Sequence, residues 1–354
     1  MTDLSKKKVL CGLSGGVDSS VAAYLLQQRG YEVIGVTLKL FQQESEIKDA
    51  SNVAKTLGVD FYEFDFSAEF EKYVIDYFAA EYESGRTPNP CIICNEKIKW
   101  QLLLNKADEL GAYYIATGHY ANIINAADTL KDCSVANDCF AVEPAPSGKD
   151  QSYALCRLSS EQLARTLMPL GQYTKDEIRE IAKKAGLPTA SKSDSQDICF
   201  VPDGDYAAFL KSRDINTDNP GNFVTTDGKI LGRHKGIMHY TVGQRRGLGI
   251  SAPASLFVLR IDANKNEVVL GYEDETLTEK IVCTDCRWTL KPDKKEIAAF
   301  VKIRYNHRGE KALVTVLDED RIEITFANPV KSPAPGQSAV IYADGIMIGS
   351  GIIN

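Results

Sequence analysis

Nowhere in the 354 residues does an uninterrupted apolar run approach the roughly 20 needed to cross a bilayer, so no membrane partner is expected. The opening segment MTDLSKKKVLCGLSGG has neither the apolar core nor the small-residue cleavage site of a secretory leader, which makes the cytoplasm the expected address. Internal repeats, low-complexity stretches and exposed heptads are absent. Nine cysteines, an odd number in a long chain, do not suggest a structural disulfide framework; in a reducing compartment they are free thiols, metal ligands or catalysts. The net charge of −7 excludes indiscriminate coating of nucleic acid, DNA included, because phosphate neutralisation dominates that affinity, but it leaves room for a local basic surface. A chain this long exceeds one compact core and should divide into two or three domains.

What is present begins with a β-loop-α-β unit. Residues 8–13 (KVLCGL) read as a buried strand, VDSSVAAYLLQQRG has helical apolar spacing with Gly30 as its stop, and YEVIGVTLKL is a second strand. KDASNVAKTLG, VDFYEFDF, SAEFEKYVIDYFAAEYESG, NEKIKWQLLLNKADELG and AYYIATGHY continue the alternation, which predicts a doubly wound parallel sheet. After about residue 200 short β-branched runs separated by Gly, Asp, Asn and Pro turns take over, as in GNFVTTDGKILG and SLFVLRIDANKNEVVLG. Three domains are expected, at 1–201, 202–275 and 276–354, the last two small and β-rich.

The first chemical motif is Ser14-Gly15-Gly16-Val17-Asp18-Ser19-Ser20, between a strand and a helix. Unpaired N–H groups at a helix N-terminus hold anions, glycines let the backbone approach phosphate, and Ser14 and Ser19 add hydroxyl donors. Asp18 could hold Mg2+ or order the loop. The terminal lysine of a Walker A loop and the G-x-G-x-x-G spacing are both missing, which removes the kinase, GTPase and dinucleotide readings. The motif resembles the pyrophosphate loop of the N-type ATP pyrophosphatases, which implies ATP as substrate and adenylation of an oxygen.

The second motif, Thr87-Pro88-Asn89-Pro90-Cys91-Ile92-Ile93-Cys94-Asn95, places a C-x-x-C at the start of a helix. A helix N-terminus lowers a thiol pKa, which makes Cys94 a candidate nucleophile with a raised thiolate fraction. Zinc is the competing use, with Cys283 and Cys286 as a second pair, but the two pairs are far apart in sequence and the later pair reads as incidental. Cys199, between Ile198 and Phe200, reads on its own as a buried small hydrophobe. Its flanking Asp194 and Asp197 would oppose thiolate formation, which suits a thiol that becomes competent with RNA bound.

SGGVDSS, TPNPCIICN, ATGHYA, GKDQSYAL, DSQDICF, TVGQRRGLGI and PGQSAV occur in the order found in the tRNA 2-thiouridylases of the MnmA/TrmU type, and the resemblance spans essentially the whole chain. It implies an adenine nucleotide alpha hydrolase-like α/β domain followed by two β domains, the last a β-barrel. It further implies that ATP adenylates the C2 oxygen of the wobble uridine in the anticodon, that Cys199 carries the sulfur as a persulfide received from a delivering protein, and that Cys94 is the nucleophile. Cys94 then takes the Cys199 sulfur into a disulfide that an external reductant reopens. By the same transfer Gly12, Leu13, Ser14, Gly15, Gly16, Val17, Asp18, Ser19, Leu38 and Gly118 contact ATP. Asn89, Pro90 and Cys91 lie at the target base; His119, Lys149, Asp150, Gln151, Arg304, Tyr305 and Gln337 contact tRNA.

Some relatives have aspartate at the Cys91 position. A second mechanism places an iron–sulfur cluster on Cys91, Cys94 and Cys199. Basic residues group at Lys97 and Lys99, at Arg245 and Arg246, and at Arg304, His307 and Arg308, and serve either as phosphate contacts or as solvated charges. Two other functions fit parts of the pattern: an amide- or amidine-forming ligase, which needs no cysteine pair, and a noncatalytic RNA-binding module whose C-x-x-C holds zinc.

Overall fold

The computed structural model describes residues 7–41, 44–126, 139–146, 148–192, 198–201 and 204–354. The buried run of β1 (Lys8–Gly12) enters α1 (Val17–Gln28), followed by β2 (Glu32–Lys39), α2 (Glu44–Leu57) and β3 (Phe61–Asp65). A long helical segment combines α3 (Ser67–Phe70) and α4 (Asp76–Glu83); a second combines α5 (Pro90–Ile93) and α6 (Gln101–Glu109) and leads to β4 (Tyr114–Ala116). Both segments depart from the regular helices expected, because π-helical turns at Glu71–Ile75 and Cys94–Trp100 interrupt them. A hairpin, β5 (Ala121–Asn125) and β6 (Phe140–Pro144), precedes α7 (Ser160–Ala164), β7 (Thr166–Leu167) and α8 (Lys175–Lys184).

Five strands form a parallel sheet in the order β3-β2-β1-β4-β7. The order reverses between β1 and β4, and at such a reversal the loops leaving the strand ends diverge to opposite faces and open a crevice. The expected doubly wound α/β domain is therefore present, with its crevice beside the Ser14–Ser20 loop. Parallel strands covered on both faces must be apolar throughout; accordingly Val9, Leu10 and Cys11 are fully buried.

After α9 (Tyr206–Lys211), β8 (Gly221–Val224), β9 (Ile230–His234), β10 (Phe257–Asp262) and β11 (Glu267–Gly271) make a four-stranded sheet. The strands β12 (Leu277–Trp288), β13 (Glu296–Lys302), β14 (Glu310–Val316), β15 (Ile322–Lys331), β16 (Ser338–Ala343) and β17 (Ile346–Ile353) follow. The ladder β12-β15-β14-β13-β16-β17 closes through β12–β17 pairing into a six-stranded barrel. The β5–β6 hairpin joins this same sheet at the β17 end, with Val142 opposite Met347. Alternating apolar positions pointing into one interior explain the closure: Val301, Val314, Ile322, Ile324, Ile341 and Ile348 share a core that also holds Cys283 and Cys286.

The barrel grips the C-x-x-C segment at two places. Ahead of it, Thr87 N–H donates to Pro335 O at 2.7 Å, and the Gln337 side-chain amide donates to Thr87 O and Pro88 O at 2.9 and 3.2 Å. Gly336 allows this approach with φ +93°, and a Cβ there would lie 2.9 Å from Thr87 N. Beyond it, Arg157, whose side chain is 3% exposed, bonds Glu96 at 2.6 Å and Asp285 of β12 at 2.8 Å. Burial alone pushes the Glu96 carboxyl up, but Arg157 and Lys97 together outweigh it and hold the group below the usual carboxylate range.

Because Glu96 has a depressed pKa when folded, its contribution to stability is present above the unfolded carboxylate pKa near ~4.3 and is lost as pH falls through the folded value. Arg157→Leu leaves the largely buried Glu96 carboxylate with only the exposed Lys97 as partner, and we expect a loss of about 1–3 kcal/mol. Thermal unfolding between pH 4 and 8 checks this: the variant should lose most at pH 7 and approach the parent protein as Glu96 protonates.

Candidate active site

The β1 strand ends at Gly12, and the chain turns through Gly15 with φ +70°, where a Cβ would lie 2.5 Å from Glu46 O. Gly16 is the N-cap of α1 and no side chain caps the helix, so the first-turn N–H groups stay open to an anion. The loop is braced from within: Ser14 N–H donates to Ser19 Oγ at 3.1 Å, and Ser20 Oγ donates to Gly16 O at 2.8 Å. Across the crevice, the turn after β4 presses so closely on α1 that a Cβ on Gly118 would stand 2.7 Å from Ser19 N and 2.8 Å from the Asp18 carbonyl carbon.

A cleft of about 240 Å3 opens there. Gly12, Leu13, Ser14, Asp18, Ser19, Leu38 and Gly118, seven of the ten residues assigned to ATP, line it. Gly15 and Gly16 shape the turn beside it, and Val17 is buried. Val36, Leu38, Leu40 and Leu103 give the cleft an apolar wall suited to a planar base, while the Ser14–Ser19 loop supplies the polar end.

Asp18 orders the loop. Its Oδ1 accepts from Tyr120 OH at 2.6 Å, and Lys175 Nζ reaches both carboxylate oxygens at 2.7 and 2.8 Å. Lys192 donates to Gly15 O at 3.1 Å and pairs with Asp49 at 2.8 Å. Neither lysine carried a motif in sequence. The only signal for Lys175 is the capping box of Thr174 and Glu177, which fixes the start of α8 and so where Lys175 sits.

Among the described residues no three His, Cys, Asp or Glu side chains converge as a metal-ligand set. Both Asp18 carboxylate oxygens are engaged by Lys175. Cys91, Cys94 and Cys199 are not grouped among the described residues as such a metal-ligand set.

The eight cysteines among the described residues are free thiols. Cys94 lies one turn beyond the helix start at Pro90 and is 6% exposed. Burial pushes its thiol up to about 11, Lys99 pulls it down, and Cys199 and Cys91 push it up. The expectation of a thiol acidified by the helix N-terminus is thus reversed, because desolvation of a buried sulfur outweighs the helix end. Asn95 ties this turn down by donating to Ala154 O at 2.8 Å, while its own buried Oδ1 has no partner.

Cys199 is exposed, not buried as it reads in isolation. The burial falls instead on its neighbour Phe200, 1% exposed, whose ring packs against Phe41, Phe70, Phe78 and Phe209 at centroid distances of 5.2 to 6.5 Å. One aromatic anchor therefore presents the adjacent thiol. Desolvation raises the Cys199 thiol, Lys99 lowers it, and Cys91 raises it further, so the three cysteines are electrostatic neighbours. Asp194 and Asp197 lie outside the described residues.

The residues assigned to tRNA divide. His119 and Gln151 line the cleft. His119 Nδ1 is 2.8 Å from Thr117 Oγ1, and burial with the nearby Lys99 charge lowers its pKa to about 3, so the imidazole is neutral. Asp150 accepts from Ala145 N–H, Ser152 and Lys302, which makes it a joint between the α/β domain and the barrel. Gln337 spends its side-chain amide on the Thr87–Pro88 carbonyls. Lys149, Arg304 and Tyr305 are exposed, with Tyr305 OH donating to Asp150 O at 3.3 Å. Asn89 caps α5 in position only, and Pro90 occupies its first turn; Cys91 is exposed beside them.

A parallel sheet with an uncapped helix N-terminus opening on a cleft at its strand reversal fits a nucleotide-dependent enzyme. Comparison with known proteins narrows this. A family profile described as "tRNA methyl transferase HUP domain" matches residues 7–203, a "tRNA methyl transferase PRC-barrel domain" residues 207–272, and an "Aminomethyltransferase beta-barrel domain" residues 278–353. The chain is 46% identical to the tRNA-specific 2-thiouridylase MnmA of Lachnoclostridium phytofermentans, over 98% of this chain and 99% of that one. It is 45% identical to MnmA 1 of Clostridium botulinum strain Loch Maree, over 98% and 99%, and 44% identical to MnmA 2 of Caldanaerobacter subterraneus, over 98% and 97%. The chain belongs to the tRNA-specific 2-thiouridylase family, a family of tRNA sulfurtransferases. No helix among the described residues is long and apolar enough to cross a membrane.

Exposure orders the thiols chemically. A small alkylating agent at pH 7.5 should modify Cys91 and Cys199 well before Cys94, read by peptide mass spectrometry; Cys94 reacting first would contradict the burial described.

Proposed function

We propose that the protein replaces the C2 oxygen of the wobble uridine of tRNA with sulfur, consuming ATP and releasing AMP and pyrophosphate. The observation that supports this most is that two free thiols from separate segments, Cys94 and Cys199, lie within electrostatic reach of Lys99, which lines the cleft headed by an uncapped helix N-terminus.

The chemistry runs in three balanced steps. The uridine O2 attacks the α-phosphorus of ATP and pyrophosphate leaves, which converts a poor leaving group into AMP. A persulfide on Cys199, loaded by a sulfur-carrying protein that reaches the exposed thiol, attacks C2 through its outer sulfur, and AMP departs. The Cys94 thiolate then attacks the inner sulfur of Cys199; the S–S bond to the base breaks, 2-thiouridine leaves with the electron pair, and a Cys94–Cys199 disulfide remains. Two thiols have supplied the two electrons, and an external dithiol must restore them. Magnesium arrives on the triphosphate, and no step is routed through protein-bound metal.

Open first-turn N–H groups of α1 bind and orient the phosphates, with Asp18 fixed by Lys175 and Tyr120. Asn89, Pro90 and Cys91 border the flipped base, while Lys149, Arg304 and Tyr305 offer an exposed RNA contact next to the barrel joint. The units 1–201, 202–275 and 276–354 then divide catalysis from RNA positioning, in a cytoplasmic setting.

Nucleoside mass spectrometry on tRNA incubated with ATP, magnesium and a persulfide donor tests the reaction. Cys94→Ala and Cys199→Ala should each lower 2-thiouridine by a factor of about 100 or more, while tRNA-dependent AMP release persists at least partly. Thiolation surviving in either variant would refute the two-cysteine scheme. Gly118→Ala, which drives a methyl group into the Ser19 backbone, should weaken binding of a nonhydrolysable ATP analogue about tenfold or more by calorimetry while circular dichroism stays unchanged.

A further inference from the structure

Lys99 entered the sequence reading as one of two neighbouring surface bases, but the structure separates the pair. Lys97 pairs with Glu96 at 3.0 Å, with its side chain 47% exposed. Lys99 is half-buried and lines the cleft together with Ser14, Ser19, Gly118 and His119. No carboxylate among the described residues forms an ion pair with it. Its position follows from the π-helical winding of Cys94–Trp100: an i→i+5 turn stacks residue 99 over residue 94, whereas an α-helix of 3.6 residues per turn would carry it round the helix.

We propose that Lys99 is a cation shared by both halves of the reaction: it holds a phosphate oxygen of the bound nucleotide, and after pyrophosphate leaves the same ammonium stabilises the sulfur anions at Cys94 and Cys199. This rests on the thiolation reading above. A half-buried ammonium that pairs with no carboxylate among the described residues is suited to a counter-anion, and the open helix N-terminus on the same cleft is suited to phosphate. While the triphosphate is bound its charge is taken up there, and the thiols keep their protons. Departure of pyrophosphate returns the charge to the sulfurs, so nucleophile activation follows adenylation. The thiol proton passes to solvent, since His119 is a poor acceptor.

The groups facing these sulfurs agree with that role. The charged or ionisable groups acting on Cys94 are Lys99, Cys91 and Cys199, and those acting on Cys199 are Lys99, Cys91 and Glu46. Lys99 is the sole cation in both sets, and it is also the charge acting on His119.

The test compares the full-length protein with Lys99→Met, Lys99→Gln and Lys99→Arg, each checked for an unchanged thermal midpoint; the Gln variant stands in should Met fail to fold. Two quantities are read: the dissociation constant for α,β-methylene-ATP, and the pH profile of iodoacetamide modification at Cys94 and Cys199, resolved by mass spectrometry in nucleotide-free protein. Loss of the charge should weaken analogue binding about tenfold and slow modification at pH 8 about tenfold, with the profiles converging at high pH, and Lys99→Arg should restore most of both. An unchanged affinity, an unchanged pH profile, or an Arg variant as impaired as Met overturns the shared cation. Both shifts seen in a protein that forms no 2-thiouridine would instead overturn the thiolation reading.

Discussion

A π turn places residue i+5 above residue i, and between Cys94 and Trp100 that winding decides which side chains meet. Cys94 and Ile98 face inward, with Trp100 fully buried and donating its indole N–H to Thr166 at 2.9 Å. Lys99, between two buried neighbours, is carried to the cleft. Regular α winding from Pro90 to Glu109 would rotate one group away from the other. The buried thiol and its nearby ammonium thus depend on an irregularity that the tightly packed flanking residues hold in place.

That irregularity is held from outside the α/β domain. The barrel fastens the chain just before the C-x-x-C through Gln337 and just after it through the Arg157–Glu96–Asp285 cluster. Exposed ion pairs contribute little, but a guanidinium 3% exposed and satisfied on both sides fixes geometry as well as energy. The barrel thereby helps to set the geometry of the C-x-x-C turn.

Much of this was legible in the sequence. Strand runs such as KVLCG and the alternation of elements carry the parallel sheet, because period and apolar content decide burial before any tertiary detail. The glycine loop was legible too, since its chemistry is local. The state of the cysteines was not: whether Cys94 is acidified or suppressed depends on burial, a nonlocal property, and whether Cys199 or Phe200 turns inward depends on four aromatic rings contributed by three other segments. Gln337 and Asp150 show the same limit. Their motifs are visible, but only folding shows that their polar groups are spent on the protein itself. The lysines at 175 and 192 carried no functional signal beyond charge and, for Lys175, its place after a helix cap, because each acts through a partner more than 100 positions away.

The β5–β6 hairpin lies within the first half of the chain, yet its sheet neighbour β17 is the last strand to be made. At ribosomal rates of about 5–20 residues per second, the intervening stretch takes roughly 10–40 s to synthesise. Throughout that interval the edge of β6 that pairs with β17 has no native strand partner. Maturation of the nascent protein is therefore coupled to completion of its C-terminus, and a polypeptide released early exposes a strand edge suited to aggregation or to capture by a chaperone.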